Sequence, residues 1–300
     1  MDEPLNYKVN GKEKTYFIIK IFATLIVIAG IVMLFNVSTR VSAMVGVCAA
    51  YALIIGLFLM IRKGLLIGYL RGSCVRISPE QFPDINKIFE QHCKKLGLTK
   101  IPSLYILQSG EILNAFATRF IGSNYVVLLS GVLEAAYTEG RDAVSFIVGH
   151  ELGHVKRNHA SKNFWLFPSM LVPFLQGAYS RACEYTCDSI GHALSPSGAT
   201  QGMLILSVGK DLYKWVNVRN YLEDSSTRGG FWVWFSEVLS SHPFFPKRIG
   251  QFADINQFQT SSQKPFGSVM LAESKRDYSE YQPKTIGSSE YLKDPYVDNN

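Results

Sequence analysis

Two long apolar stretches stand at the start of the chain, Tyr16 to Phe35 and Val41 to Ile61; the first carries only Lys20 among charged residues and the second carries none. As helices rising 1.5 Å per residue, each is long enough to cross a hydrocarbon layer about 30 Å thick. The short link between them, Asn36 to Arg40, leaves room only for a tight hairpin whose outer ends lie on one side. Lys20 sits one turn inside the first stretch, where its flexible stem is expected to return the ammonium to the headgroups and mark an end of the span. Arg62 to Arg71 is apolar between basic ends and reads as a segment lying along the membrane surface.

Beyond residue 78 the pattern changes to that of a folded domain. Ser78 and Gln81 offer a capping box and Pro83 an alternative start for a helix running to about Leu96, with Ile85, Ile88 and Phe89 on one face. Strands are expected at Ser103–Leu107, Leu113–Phe120 and Tyr125–Leu129, the last two joined by a turn at Gly122-Ser123-Asn124. Ser130 is placed to cap the next helix, and Thr138 to cap a long one from about Glu139 to His159. Asn163 to Tyr179 is apolar but broken by Pro168 and Pro173, which favours a buried or membrane-touching loop over a third span. The last 40 residues, 261–300, are polar and read as a tail. The expected organisation is a transmembrane hairpin over 1–63, a juxtamembrane linker over 64–78, a folded domain over 79–260 and the tail.

Charge adds a direction. Lys8, Lys12 and Lys14 precede the hairpin and Arg62, Lys63, Arg71 and Arg76 follow it, while the turn holds only Arg40, so both outer ends and the domain are expected in the cytoplasm. Acidic Asp2 and Glu3, and a second span directly after the first, argue against a cleaved signal peptide. The net charge of +6 in 300 residues is spread too evenly to suggest a nucleic-acid partner. The odd set of five cysteines does not resemble a disulfide framework. Composition, 47% hydrophobic against 18% charged, agrees with a chain that needs lipid.

Candidate chemistry lies on the long helix. In His150-Glu151-Leu152-Gly153-His154 the two histidines stand one turn apart on one face and can offer two imidazole nitrogens to a single metal, with Glu151 placed to act as general base on its water. A third ligand is needed. Thirty residues after His154, Glu184 and Asp188 stand four apart in a helical segment, so that one can bind metal while the other accepts a hydrogen bond from the back nitrogen of a ligand histidine. Cys183 and Cys187 flank Glu184 and are expected to be packing residues. His92, His192 and His159 have no partner at ligand spacing; His159 is expected to be a charge near a helix carboxyl end.

These elements resemble the membrane zinc metallopeptidases typified by the bacterial heat-shock protease HtpX and by the CAAX prenyl proteases, the gluzincins of peptidase family M48. The resemblance spans roughly residues 70–255 and rests on His150 to His154, on Ser180 to Asp188, on Asn114-Ala115-Phe116-Ala117, and on His242-Pro243 followed by Arg248-Ile249. It implies an α+β fold: a mainly helical zincin domain with a small antiparallel sheet. It implies one zinc ion on His150, His154 and Glu184, Glu151 as base and proton shuttle, and Asp188 behind a ligand. Asn114 to Ala117 would be an edge strand that pairs with extended substrate. His242 and Arg248 would lie near the metal, where three roles are open: stabilising the oxyanion, positioning Glu184, or capping the metal in a latent state. Departures are Cys187, where the family commonly has Ala, and a gap between the histidines and Glu184 too short for a further membrane hairpin. The expected function is a membrane-anchored zinc endopeptidase acting on polypeptides, with membrane-protein quality control as the family's role; the alternatives are a silent adaptor with the zinc fold and a CAAX-type processing enzyme.

Overall fold

The computed structural model describes residues 5–108 and 114–252. The expected tail, the final residues of the expected folded domain and Leu113 fall outside them.

Two long helices open the chain. Helix α1 (Gly11–Phe35) is capped by the Asn10 side chain and α2 (Thr39–Ser73) by Ser38, each accepting from a backbone N–H of the first turn. Both are long and apolar enough to cross a membrane. Helix α2 continues unbroken through Arg62 to Arg71, so the expected surface-lying segment is instead the inner end of the second long helix. Ile67 and Leu70 explain the continuation: both are buried, packed with Tyr105, Tyr125 and Val127 on one face of the sheet.

The sheet has four strands in the order β1-β2-β4-β3, formed by β1 (Val75–Arg76), β2 (Ser103–Leu107), β3 (Ala115–Phe120) and β4 (Ser123–Leu129). It is mixed, where a purely antiparallel sheet was expected. Strands β3 and β4 form an antiparallel hairpin, but β2 pairs parallel to β4. The chain reverses once between β2 and β3 and again in the hairpin, and the second reversal returns β4 into the place beside β2. The hairpin turn is Ile121-Gly122, both at positive φ, which matches the right-handed twist of the flanking strands. Ser123 and Asn124, expected in the turn, therefore belong to β4.

Alternation along the strands divides the core. Leu104, Val126 and Leu128 face α3 (Pro83–Lys95) and α5 (Asp142–Lys156), meeting Ile85, Phe89, Val144, Val148 and Leu152. Helix α3 starts at Pro83; Ser78 and Gln81 close a tight turn before it rather than a capping box. Helix α4 (Ser130–Glu139) runs through Thr138, and the break before α5 is at Gly140, whose φ of 109° is open to glycine. The long helix is thus shorter than expected at both ends. After α5 come α6 (His159–Trp165), a 3-10 turn (Phe167–Leu171), α7 (Leu175–Leu194), α8 (Ala199–Val208), α9 (Val218–Thr227), α10 (Phe231–Leu239) and α11 (Phe245–Ile249).

Helix α1 is not a bare anchor. Its first half docks on α7 and on the turn that precedes it, and Glu13, Lys20 and Thr24 are buried there. Lys20 is fully enclosed, its Nζ donating to Asn163 Oδ1 at 2.9 Å and Gln176 Oε1 at 2.5 Å and lying over the Tyr179 ring. The expectation that it returns to the headgroups is overturned, because two amides and a ring inside the protein solvate the ammonium. The outer half of α1 and most of α2 expose Ile26, Met33, Met44 and Leu53.

Candidate metal centre

The site is built where α5 crosses α7, and glycines let the two helices approach. A Cβ at Gly153 would lie 3.1 Å from Cys187 Cα, one at Gly149 3.2 Å from Gly191 Cα, and one at Gly191 2.9 Å from the Phe146 ring. With side chains larger than hydrogen on this seam the helix axes would have to separate, carrying Glu184 away from the histidines. Cys187 packs against Gly153 as a buried thiol and Cys183 is likewise buried, in keeping with packing roles.

The seam brings the three expected ligands together. His150 Nε2 lies 3.4 Å from Glu184 Oε2, and His154 Nε2 lies 3.3 Å from Glu184 Oε1. Ligands about 2.0–2.2 Å from a tetrahedral zinc are separated by about 3.3–3.5 Å, a spacing each imidazole holds to one of the two Glu184 oxygens. Their donor atoms all fall within 4.8 Å of one another. Two imidazoles and a carboxylate also form the donor set of a catalytic site, which keeps a fourth position open.

Electrostatics favours a cation at this point. Burial alone pulls the His150 imidazolium down, but the hydrogen bonds and charges of Asp188 and Glu184 outweigh it and raise its pKa to about 10. Glu184 is fully enclosed; burial opposes its charge, yet the two histidines hold it well below the usual carboxylate range. The field that draws a proton onto His150 equally draws a metal ion, which would displace that proton.

Supports stand behind each ligand. His150 Nδ1 lies 2.8 Å from Asp188 Oδ1, which puts Asp188 on the side of the ring away from Glu184. Arg248, on α11, is buried and donates to both Asp188 oxygens, at 2.8 and 2.6 Å, with Nη1 3.4 Å from Glu184 Oε2. Of its three open roles, this geometry fits positioning. His242 is exposed, with Nε2 3.5 Å from Glu184 Oε1 and Nδ1 against Ser241 Oγ at 2.8 Å; it stands at the rim, beside a groove of about 600 Å³ lined by Tyr221, Val233, Ser236 and Phe244. Glu151 is buried one residue along from His150.

The segment expected to pair with substrate forms part of the sheet. Ala115 to Ala117 belong to β3, which among the described residues is an outer strand paired with β4 alone; an outer strand offers a row of backbone groups for pairing. Asn114 precedes the strand and its carbonyl is taken by the Leu129 N–H. A cleft of about 160 Å³ separates Ala117 and Thr118 from His154 and Asn158.

Sequence reasoning missed the support behind His154. Helix α5 ends at Lys156, Asn158 turns the chain through the left-handed region, and His159 opens α6 instead of closing α5. It is buried rather than a charge at a helix end. Burial outweighs the neighbouring Glu13 and lowers its pKa to about 4, so the ring is neutral. No spacing rule links residue 13 to residue 159. His92 and His192 are packing residues, the first against Ser145 and the second stacked on Phe252.

Comparison with known proteins agrees with the motifs. Residues 79–173 match the family model described as Peptidase family M48, a stretch that includes His150, Glu151 and His154 and ends before Glu184. Over that stretch, about a third of the chain, the protein is similar to the M48 peptidases. The crystal structure of S. mikatae Ste24p is similar at 16% identity over 82% of this chain and 67% of that chain, with a TM-score of 0.45. No curated protein matches the chain.

Proposed function

We propose that this chain is a zinc-dependent endopeptidase held in a membrane by the α1–α2 hairpin, with His150, His154 and Glu184 as the metal ligands. The observation that carries it is the pair of 3.3 and 3.4 Å separations between Glu184 and the two histidines, reached from helices distant in sequence. Zinc, when bound there, polarises a peptide carbonyl and lowers the pKa of water beside it. Glu151 takes the proton from the attacking water and delivers it to the leaving amine. Strand β3, through Asn114, Ala115, Phe116 and Ala117, pairs with an extended polypeptide and directs it across the face of His154. Arg248 holds Asp188 and Glu184 in place, and His242 closes the rim of the site toward the groove.

The substrates are polypeptides reached at the membrane surface, and the basic residues at both outer ends of the hairpin support a cytoplasmic domain; membrane-protein quality control, at a bacterial inner membrane, is the setting that the family likeness supports. Two measurements test this reading together. Glu151→Gln is expected to retain one zinc per chain while cleavage of an unfolded substrate such as casein falls by about 10²–10⁴-fold. Glu184→Ala is expected to lose zinc by elemental analysis. Full turnover by the first variant would remove the mechanism, and undiminished zinc in the second would remove the ligand.

A further inference from the structure

The two ligand histidines differ in what holds their second nitrogen. His150 Nδ1 meets a carboxylate directly. His154 Nδ1 meets the Nδ1 of His159 at 3.0 Å, and His159 Nε2 in turn lies 3.3 Å from Glu13 Oε1. Proton bookkeeping gives this line a direction. His154 presents Nε2 toward Glu184, so as a metal ligand through Nε2 it carries its proton on Nδ1. His159 Nδ1 must then accept. A neutral His159 that accepts at Nδ1 carries its own proton on Nε2, where Glu13 Oε1 stands ready to receive it. Every hydrogen bond in the line is satisfied by one tautomer set, and that set is the one metal ligation requires.

Glu13 is held for this task by the domain and not by its own helix. The carboxylate is 1% exposed, and Arg157 donates to the same Oε1 through Nε at 3.1 Å and Nη2 at 2.9 Å. A carboxylate buried this far costs several kcal/mol unless paired, and a first-turn Glu could favour its helix dipole from the surface. Neighbouring contacts fix the register: the Asn10 N–H donates to Thr186 Oγ1 and the Lys8 N–H to Ser189 Oγ, both on α7, the helix of Glu184.

We propose that Glu13, at the start of the first apolar helix, is a positioning residue of the metal site, acting through His159 on His154. The inference rests on the zinc reading above and deepens it: the membrane anchor supplies part of the support that orients a ligand. A carboxylate behind a ligand imidazole fixes the ring and raises its basicity, and loss of such a partner costs 10- to 100-fold in metal affinity. Asp188 gives His150 this support directly, and Glu13 gives it to His154 across one intervening ring.

The test is zinc affinity of the full chain in detergent, measured by competition with a chromophoric chelator, together with the visible spectrum of the cobalt-substituted protein. Glu13→Gln is expected to weaken zinc by about 10- to 100-fold and to alter the cobalt spectrum; because it also breaks the pair with Arg157, affinity and spectrum are read at a temperature where the metal-free variant is still folded. His159→Gln is the second variant; combined with Glu13→Gln it is expected to add little, because both act along one line, whereas Asp188→Asn is expected to add its full effect. Wild-type affinity and an unchanged cobalt spectrum in both single variants would overturn the inference and leave the peptidase reading standing. A wild-type chain that binds no zinc would instead overturn that reading. Two zinc ions per wild-type chain, falling to one in Glu13→Gln, would also overturn the inference, by making Glu13 a ligand in its own right.

Discussion

His150 and His154 stand one turn apart on the same helix, yet their surroundings are built from different parts of the chain. The His150 side is made within the domain: Asp188 lies on the helix of Glu184, and Arg248 grips both carboxylates from the segment after α10. The His154 side is more open, its side chain 23% exposed against 8% for His150, and its support comes from a residue more than 140 positions away on the membrane hairpin. One ligand is therefore fixed as soon as the domain folds. The other also depends on how α1 docks, so a change that disturbs the hairpin is felt at the metal without touching any ligand.

The largest effect that sharpens this comparison is expected on the His150 side. Arg248→Met removes the guanidinium bonded to Asp188, a residue with no exposure, and leaves two enclosed carboxylates facing each other. Breaking a buried pair in this way costs about 3–5 kcal/mol. Chemical denaturation of the metal-free protein is expected to show that loss. If Arg248→Met unfolds no more readily than the wild type, the His150 side is not the electrostatically locked half described here.

A smaller effect is expected from the seam that both halves share. Gly153→Val places methyl groups where even a Cβ lies 3.1 Å from Cys187 Cα, and that contact is backbone, so α7 must move. Overpacking of this kind costs about 1–3 kcal/mol. Because the shift separates Glu184 from both histidines, zinc affinity is expected to fall along with stability. A Gly153→Val protein with native zinc affinity would show that the close approach of the helices is not what sets the ligand spacing.

Much of this was legible in the sequence, for a physical reason. Histidines one helical turn apart are held on one face by local geometry, so the proximity of His150 and His154 could be read directly, and the motif order pointed to Glu184, Asp188 and Arg248, which the fold brings close to them. The two apolar helices declared themselves by length alone. What could not be read are contacts between elements far apart in the chain. Lys20 looked like a headgroup residue because nothing local shows that Asn163 and Gln176 will enclose it. Nothing local marks Glu13, and His159 looked like a helix-end charge; only the docking of α1 brings the two together. The parallel pairing of β2 with β4 was hidden for the same reason, since hairpin signals identify neighbours in sequence and not the strand inserted between them.

The smallest effect concerns a buried histidine with no carboxylate at all, and it isolates what the carboxylates contribute. His92 sits on α3 with Nε2 against the Ser145 carbonyl at 3.1 Å and hydroxyl at 3.0 Å. Burial is the main influence, the Ser145 contact opposes it only in part, and the pKa drops to about 4 from 6.5, opposite in sign to His150. Below the ordinary value of 6.5 the unfolded chain gains a proton that the folded chain refuses, so this residue withdraws stability as pH falls from 6.5 toward 4 and changes nothing outside that window. His92→Gln, which keeps a donor for the Ser145 carbonyl, is expected to flatten that decline by about 1 kcal/mol between pH 7 and 5.5. Denaturant melts at the two pH values measure it as the difference between variant and wild type. An unchanged pH slope would mean that His92 is hydrated enough to titrate normally, and the reversed sign at His150 could then no longer be credited to its two carboxylates overcoming burial.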